Sequence, residues 1–226
     1  RAMYLYSAMA DLAMELNDET LFAACQSLWR NLCEKKLYIT GGIGSTSRNE
    51  GFSVDYDLPN LSAYSETCAS VGLILWSHRM LQLNCDSQYA DVLERTLFNA
   101  FLSGVSFDGT KFFYDNPLAS RGEKHRQEWF AVTCCPPNVA RLLASLGQYI
   151  YSFSPTDLAI HLFIQSTVTV NIGEIIVQVH QTTNYPWEGS ISVDIDPEED
   201  VEFTLRIRLP GWCRNITMQI NNVDAD

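Results

Sequence analysis

The sequence predicts a mainly helical protein followed by a β domain, and three observations support this. Apolar residues recur at spacings of three and four from residue 2 to about residue 153, which is typical of amphipathic helices. From about residue 158 apolar and polar residues alternate, as they do in half-buried antiparallel strands. A length of 226 residues also suffices for two small domains. We therefore expect a helical domain over residues 1–155 and a partial antiparallel β-sandwich over residues 156–226.

Five helices are expected in the first part of the chain. Asp18 is a candidate cap for the second helix. Pro136 and Pro137 mark the start of the last helix, because proline is tolerated in a first helical turn and disfavours the helical conformation of the residue before it. Cys134 and Cys135 should therefore precede that helix. The expected helices are Ala2–Leu16, Glu19–Lys35, 69–83, 88–102 and 138–151.

A long irregular connection over residues 40–67 separates the second and third helices. Connections of this length in compact domains are usually functional or disordered. Because this one contains glycines, carboxylates and aromatic residues, we interpret it as an ordered loop that contributes to a site. Its segment GGIGS, residues 41–45, lacks the lysine of a phosphate loop, so nucleotide binding is not expected.

Six strands are expected in the second part, with turn-forming residues between them. They span residues 160–164, 167–171, 174–181, 190–196, 202–209 and 216–221. The chain begins inside a helical pattern and stops where a hairpin would turn, so we interpret it as an internal piece of a longer protein. Such a piece alone is expected to be poorly stable or to associate, and to have little activity.

Composition and charge restrict the possible functions. The chain is 46% apolar and 19% charged, as in ordinary globular proteins, and no apolar run approaches the roughly 20 residues that span a bilayer. A formal charge of −12 argues against nucleic acid, because it repels phosphate backbones, and favours a neutral partner such as a sugar. Seven cysteines, an odd number without the spacing of a disulfide scaffold, indicate a reducing compartment such as the cytoplasm.

The adjacent pair Cys134 and Cys135 is the strongest indication of a chemical site. The amino end of the predicted helix favours anions, so it would lower the pKa of a nearby thiol, and a bound zinc ion would complete the deprotonation. Two other interpretations remain open. The pair is also compatible with two small buried residues or with part of a disulfide scaffold.

Glu66 and Cys68 are a second candidate pair of metal ligands. Residues two apart share a face in an extended segment, whereas in a helix they point about 200 degrees apart. Both residues could bind one metal only if the third helix begins after them. Together with Cys134 and Cys135 they would then provide one carboxylate and three thiolates for tetrahedral zinc. The alternative is a solvated glutamate and a core cysteine.

An ordered set of motifs extends over nearly the whole chain. The motifs are YITGGIGS at 38–45, Glu50, DYDLPN at 55–60, AYSETCA at 63–69, FFYDNPL at 112–118, CCPPNVAR at 134–141, NYPWEG at 184–189 and LPGWC at 209–213. This set closely resembles glycoside hydrolase family 127, the β-L-arabinofuranosidases. The resemblance implies an (α/α)6 barrel catalytic domain followed by β-sandwich domains. It also implies Zn²⁺ held by Glu66, Cys68, Cys134 and Cys135.

The resemblance further implies roles in catalysis. Cys134 would be the nucleophile, Glu50 the general acid/base, and Tyr114 part of the sugar pocket. The expected reaction is retaining hydrolysis of non-reducing terminal β-L-arabinofuranosides. The partners would be a small sugar or oligosaccharide and, in the full-length protein, a second copy in a homodimer. The alternative is a non-catalytic module in which zinc only joins two segments and the β domain binds carbohydrate or a partner.

Overall fold

The computed structural model describes residues 1–225, which form five α-helices and eight short strands. The helices are α1 (Ala2–Leu16), α2 (Glu19–Lys35), α3 (Thr67–Asn84), α4 (Ser87–Arg95) and α5 (Cys135–Ala144). A π-helix over Thr96–Phe101 continues α4, and 3-10 turns occur at Arg48–Glu50, Leu102–Gly104 and Leu146–Tyr149. Within residues 1–225, no helix combines the length and the apolar composition that crossing a membrane requires.

The first two helices have the predicted bounds because their end signals are local. The carboxylate of Asp18 accepts hydrogen bonds from the amides of Thr20 and Leu21, each at 3.0 Å, and so caps α2. Helix α1 ends at Leu16, and the next residue, Asn17, adopts the left-handed conformation with φ 50°. Both ends therefore follow from residues that lie beside them in the sequence.

Two predicted helices are too long. The helix expected over 88–102 stops at Arg95, where the hydroxyl of Thr96 donates to the carbonyls of Val92 and of Gly41 in the long loop. The backbone continues there as a π-helix, a form common at functional sites. The helix expected over 138–151 ends at Ala144, and Tyr151 instead begins a strand.

Helix α3 forms the centre of the helical part. Val71, Leu73, Ile74 and Trp76 on this helix are fully buried. The Trp76 ring packs against aromatic rings from α1 and α2 at centroid distances of 4.9 and 5.0 Å. A helix that is apolar on most of its faces must be covered by its neighbours, so α3 is held firmly and its first turn is a rigid place for functional groups.

The strands form three small sheets, whose order is β1-β2-β6, β3-β4-β5 and β7-β8. They are β1 (Tyr151–Phe153), β2 (Asp157–Ile160), β3 (Ser166–Ile172), β4 (Ile175–Thr183), β5 (Ile191–Pro197), β6 (Thr204–Ile207), β7 (Gln219–Ile220) and β8 (Val223–Asp224). All pairs are antiparallel except β2 and β6, which are parallel, against expectation. Residues 161–203 connect these two strands, a crossover long enough for parallel pairing.

Both three-stranded sheets contribute side chains to one apolar cluster, separate from the cluster around α3. The strand expected over 160–164 lies earlier, as Asp157–Ile160. The expected hairpin turn is present between β7 and β8, where Asn221 and Asn222 have φ of 52° and 65°. Asparagine tolerates this conformation, so the turn follows from its sequence.

A buried ionic network joins the helical part to the β part. Arg208 next to β6 contacts Asp91 at 3.2 Å and also Glu94, both on α4, and its side chain is 2% exposed. The Tyr185 hydroxyl donates to Glu94 at 2.8 Å, and the Gly211 amide donates to Asp91 at 3.0 Å. Buried charges that lose their partners are costly, so this network fixes the β part against α4.

Candidate active site

The long loop between α2 and α3 docks onto the π-helix through backbone groups. The Thr40 carbonyl accepts a hydrogen bond from the Ala100 amide at 3.2 Å, and the Gly41 carbonyl accepts one from the Thr96 hydroxyl at 3.1 Å. Gly41 has φ 80°, and a Cβ there would lie 2.7 Å from the backbone of Thr96. A residue without a side chain is therefore required for this contact.

Replacing Gly41 with alanine is expected to destabilise the protein, because the variant combines a left-handed backbone with a clash against main-chain atoms. We expect a loss of about 3 kcal/mol in the free energy of unfolding, measured by urea denaturation. Gly109→Ala is the matched control, since Gly109 has φ 74° but nothing within 4 Å of its Cβ position. An equal loss in both variants would contradict the docking contact.

Four donor atoms meet where α3 and α5 begin. One atom each from Glu66, Cys68, Cys134 and Cys135 lies within 4.8 Å of the other three. The Cys68 and Cys135 sulfurs are 3.4 Å apart, the Cys134 and Cys135 sulfurs 3.7 Å, and the Cys134 sulfur is 3.3 Å from Oε1 of Glu66. The structure therefore brings together all four residues that the sequence suggested as metal ligands.

The helix starts that create this cluster differ from those expected. Helix α3 begins at Thr67, so Cys68 lies in its first turn, and the requirement that the helix begin after Cys68 is wrong. Glu66 precedes the helix with φ −58° and ψ 138°, and this change of backbone direction lets the two side chains converge. Cys134 precedes α5 as its N-cap, as expected, whereas Cys135 is the first residue of the helix and was expected to precede it.

The charge and chemistry of the four donor groups can be compared with those of a metal ion. The hydrogen bond between Cys68 and Cys135 lowers the pKa of Cys68 and raises that of Cys135. Burial raises the pKa of Cys134 to about 12. Three thiolates and a carboxylate this close repel one another, so a thiophilic divalent ion such as zinc fits this donor set in both charge and softness.

Glu50 faces a pocket that the cluster reaches through Glu66. Glu50, Tyr64 and Glu66 all line this pocket. The Tyr64 hydroxyl donates to Oε1 of Glu50 at 3.3 Å, and Arg1 contacts Oε2 at 3.3 Å. Asn49 and Glu50 both have left-handed backbones, with φ of 58° and 51°. Asparagine tolerates this conformation, whereas a glutamate in it carries strain of about 1–3 kcal/mol, which is typical of functional sites.

Tyr114 is held beside Cys134. The Tyr114 carbonyl accepts from the Thr67 amide at 3.0 Å, which ties residues 112–116 to the start of α3. Its ring lies 6.4 Å from that of Tyr64 and 5.4 Å from that of Phe130. A hydrogen bond with Cys134 raises the pKa of the Tyr114 phenol, and burial raises this pKa further. The predicted sugar-pocket residue therefore lies at the edge of the cluster.

Two residues with direct contacts to this site were missed by the sequence reasoning. Tyr64 contacts Glu50, and Asn138 donates to the Cys68 sulfur at 3.0 Å. Both lie inside motifs that were singled out, AYSETCA and CCPPNVAR. Nothing in the spacing of those motifs indicates which way the two side chains point, so only the folded geometry reveals their contacts.

Two family descriptions match this chain. Residues 1–148 match the GH127 catalytic domain of β-L-arabinofuranosidase, and residues 157–225 match its GH127 middle domain. The non-reducing end β-L-arabinofuranosidase of Bifidobacterium longum subsp. longum is 36% identical over 242 aligned residues. That alignment covers 100% of this chain and 36% of the relative.

Solved structures agree with these matches. The crystal structure of a GH127 β-L-arabinofuranosidase from Geobacillus stearothermophilus T6 has a TM-score of 0.96 and 48% identity, and the match covers 100% of this chain and 37% of that one. Another solved GH127 β-arabinofuranosidase has a TM-score of 0.95 and 38% identity, with coverages of 100% and 38%. The chain thus spans well under half the length of these relatives.

The helical part and the small sheets that follow it match those of solved glycoside hydrolases. More specifically, the chain belongs to glycoside hydrolase family 127.

Proposed function

We propose that the protein containing this chain is a retaining glycoside hydrolase that removes non-reducing terminal β-L-arabinofuranosides. The observation that carries the proposal is that Glu66, which belongs to the cluster containing Cys134, lines the same pocket as Glu50. A sugar bound there would have a proton donor on one side and the cluster with its proposed nucleophile nearby. The names of the relatives from Bifidobacterium and Geobacillus support the choice of substrate.

Burial distinguishes the two adjacent cysteines. Cys135 is fully buried, whereas Cys134 is partly exposed. A nucleophile must reach the anomeric carbon of its substrate, so the proposal assigns attack to Cys134. Cys135 would serve only as a ligand.

The proposed reaction has two steps. In the first, the Cys134 sulfur forms a bond to the anomeric carbon while the glycosidic bond breaks, and the Glu50 carboxylic acid gives its proton to the leaving oxygen. In the second, the Glu50 carboxylate takes a proton from water, whose oxygen attacks the anomeric carbon as the carbon–sulfur bond breaks. Two inversions at one carbon give retention.

The remaining site residues would prepare these steps. Glu66, Cys68, Cys134 and Cys135 would hold Zn²⁺, which when bound keeps thiols deprotonated at neutral pH. Tyr114 would contact the sugar. Through its hydroxyl, Tyr64 would restrain Glu50 on the pocket side, and such restraint favours proton transfer because a general acid acts only within hydrogen-bond reach.

The proposal extends to the architecture and setting of the whole protein. Residues 1–155 would belong to an (α/α)6 barrel and residues 156–226 to a β-sandwich, a division that the family matches over 1–148 and 157–225 support. The seven cysteines are free in the described part of the chain, which supports a reducing compartment such as the cytoplasm. The full-length protein could act as a homodimer.

Hydrolysis of p-nitrophenyl β-L-arabinofuranoside by the full-length protein tests this function. We expect turnover, and one zinc ion per chain measured on the same sample by elemental analysis. Zinc without turnover on this or related pentosides would instead support the non-catalytic alternative, in which the metal only joins the starts of α3 and α5. Absence of zinc from active protein would contradict the assignment of the cluster.

A further inference from the structure

Asn138, in the first turn of α5, contacts the cluster of four candidate metal ligands but does not contribute one of its donor atoms. Its side-chain nitrogen lies 3.0 Å from the Cys68 sulfur and 3.0 Å from the Tyr4 hydroxyl. Its side-chain oxygen accepts a hydrogen bond from Arg141 at 2.5 Å. The three contacts engage both hydrogens of the amide nitrogen and its oxygen, so the side chain is fully occupied.

Arg141 determines which way the amide points. A guanidinium group only donates hydrogen bonds, so the atom that faces Arg141 must be the amide oxygen. The amide nitrogen consequently faces the Cys68 sulfur and presents an N–H group to it. A sulfur that accepts this hydrogen bond is held in one orientation, and its negative charge as a ligand is partly balanced.

Tyr4 holds the main chain of the same cysteine. Its hydroxyl accepts from Asn138 and donates to the Cys68 carbonyl at 3.1 Å. Cys68 is therefore fixed at its side chain by α5 and at its backbone by α1. These contacts come from different helices, so they connect the packing of α1, α3 and α5 to the position of one sulfur.

We propose that Asn138 is a positioning residue that orients the Cys68 sulfur toward the metal, and that Arg141 keeps its amide in the required direction. This inference rests on the proposed zinc site. Hydrogen-bond partners of metal ligands typically change metal affinity by about 10–100-fold when they are removed. Asn138 has the contacts of such a partner, and no ligand atom of its own is needed.

The test compares Asn138→Leu with Asn99→Leu in the full-length protein. Leucine has nearly the shape of asparagine but no donor, and Asn99 is an exposed residue whose amide bonds only the Arg95 carbonyl among the described contacts. Zinc affinity is measured by competition with a chromophoric chelator. We expect about 10–100-fold weaker binding for Asn138→Leu and an unchanged affinity for Asn99→Leu.

A second readout separates positioning from general stability. In the cobalt-substituted protein, the sulfur-to-metal charge-transfer band should shift or weaken in Asn138→Leu, whereas a merely structural role would lower the melting temperature and leave the band unchanged. Arg141→Gln, at an exposed position, should give a smaller change in the same direction. If Asn138→Leu does not fold, Arg141→Gln is measured in its place.

The outcomes distinguish the two proposals. If the unsubstituted protein binds no zinc, the proposed metal site itself fails. If it binds zinc, and neither Asn138→Leu nor Arg141→Gln changes the affinity or the charge-transfer band, the positioning role is overturned while the metal site stands.

Discussion

Replacing Glu50 with glutamine is expected to lower kcat on a natural arabinofuranoside by about 10²–10⁴-fold, because glutamine neither donates nor accepts the transferred proton. Zinc content should not change, since Glu50 is outside the cluster of four donor residues. The kcat and the zinc content are measured on one preparation of the variant. Glu174→Gln, at an exposed turn of the β part, is the control and should keep full activity.

A substrate with a p-nitrophenyl leaving group separates the two roles of Glu50, as proton donor in the first step and as base in the second. p-Nitrophenolate departs with little need of a proton, so the Glu50→Gln variant should still complete the first step with this substrate. The second step still needs a base to activate water and should remain slow. We therefore expect a burst of p-nitrophenol equal to the enzyme concentration, followed by slow release. An unchanged steady-state rate would remove Glu50 from the mechanism.

Elements with local signals were predicted from the sequence, and elements that depend on distant partners were not. The cap at Asp18 and the left-handed Asn17 lie beside the helix ends that they define, so α1 and α2 were correct. The end of α4 depends on Thr96 binding the carbonyl of Gly41, 55 residues away. Ile150 and Tyr151 matched a helical period, but Tyr151 pairs with Ile160 as the first residue of β1.

The same distinction applies to the site. The residue types that bind zinc are visible in the motifs, and their convergence follows from two helix starts that face each other. Cys68 lies inside its helix, against the prediction, because Glu66 and Cys68 are not parts of one regular element: the backbone changes direction between them. The left-handed backbone at Glu50 and the contacts of Tyr64 and Asn138 depend on tertiary packing, which no local pattern encodes.

The covalent intermediate separates the roles of the two adjacent cysteines. With the p-nitrophenyl substrate, only the second step is slow in the Glu50→Gln variant, so the thioglycoside should accumulate and appear as one added pentosyl group by intact-protein mass spectrometry. Peptide mapping should place that group on Cys134. Cys135 should carry none, because its sulfur is fully buried.

Adding Cys134→Ala to Glu50→Gln should abolish the adduct, and Cys134→Ala alone should lower kcat by on the order of 10⁴–10⁶-fold, as expected when a nucleophile is removed. Cys213→Ala, in the β part and outside the cluster, is the matched control and should leave adduct and rate unchanged. Cys135→Ala removes a ligand but keeps the proposed nucleophile, so its zinc content and its adduct, measured alongside, separate the loss of a ligand from the loss of the nucleophile. An adduct on Glu66 or Cys135 would show that another residue is the nucleophile, without contradicting the proposed metal site.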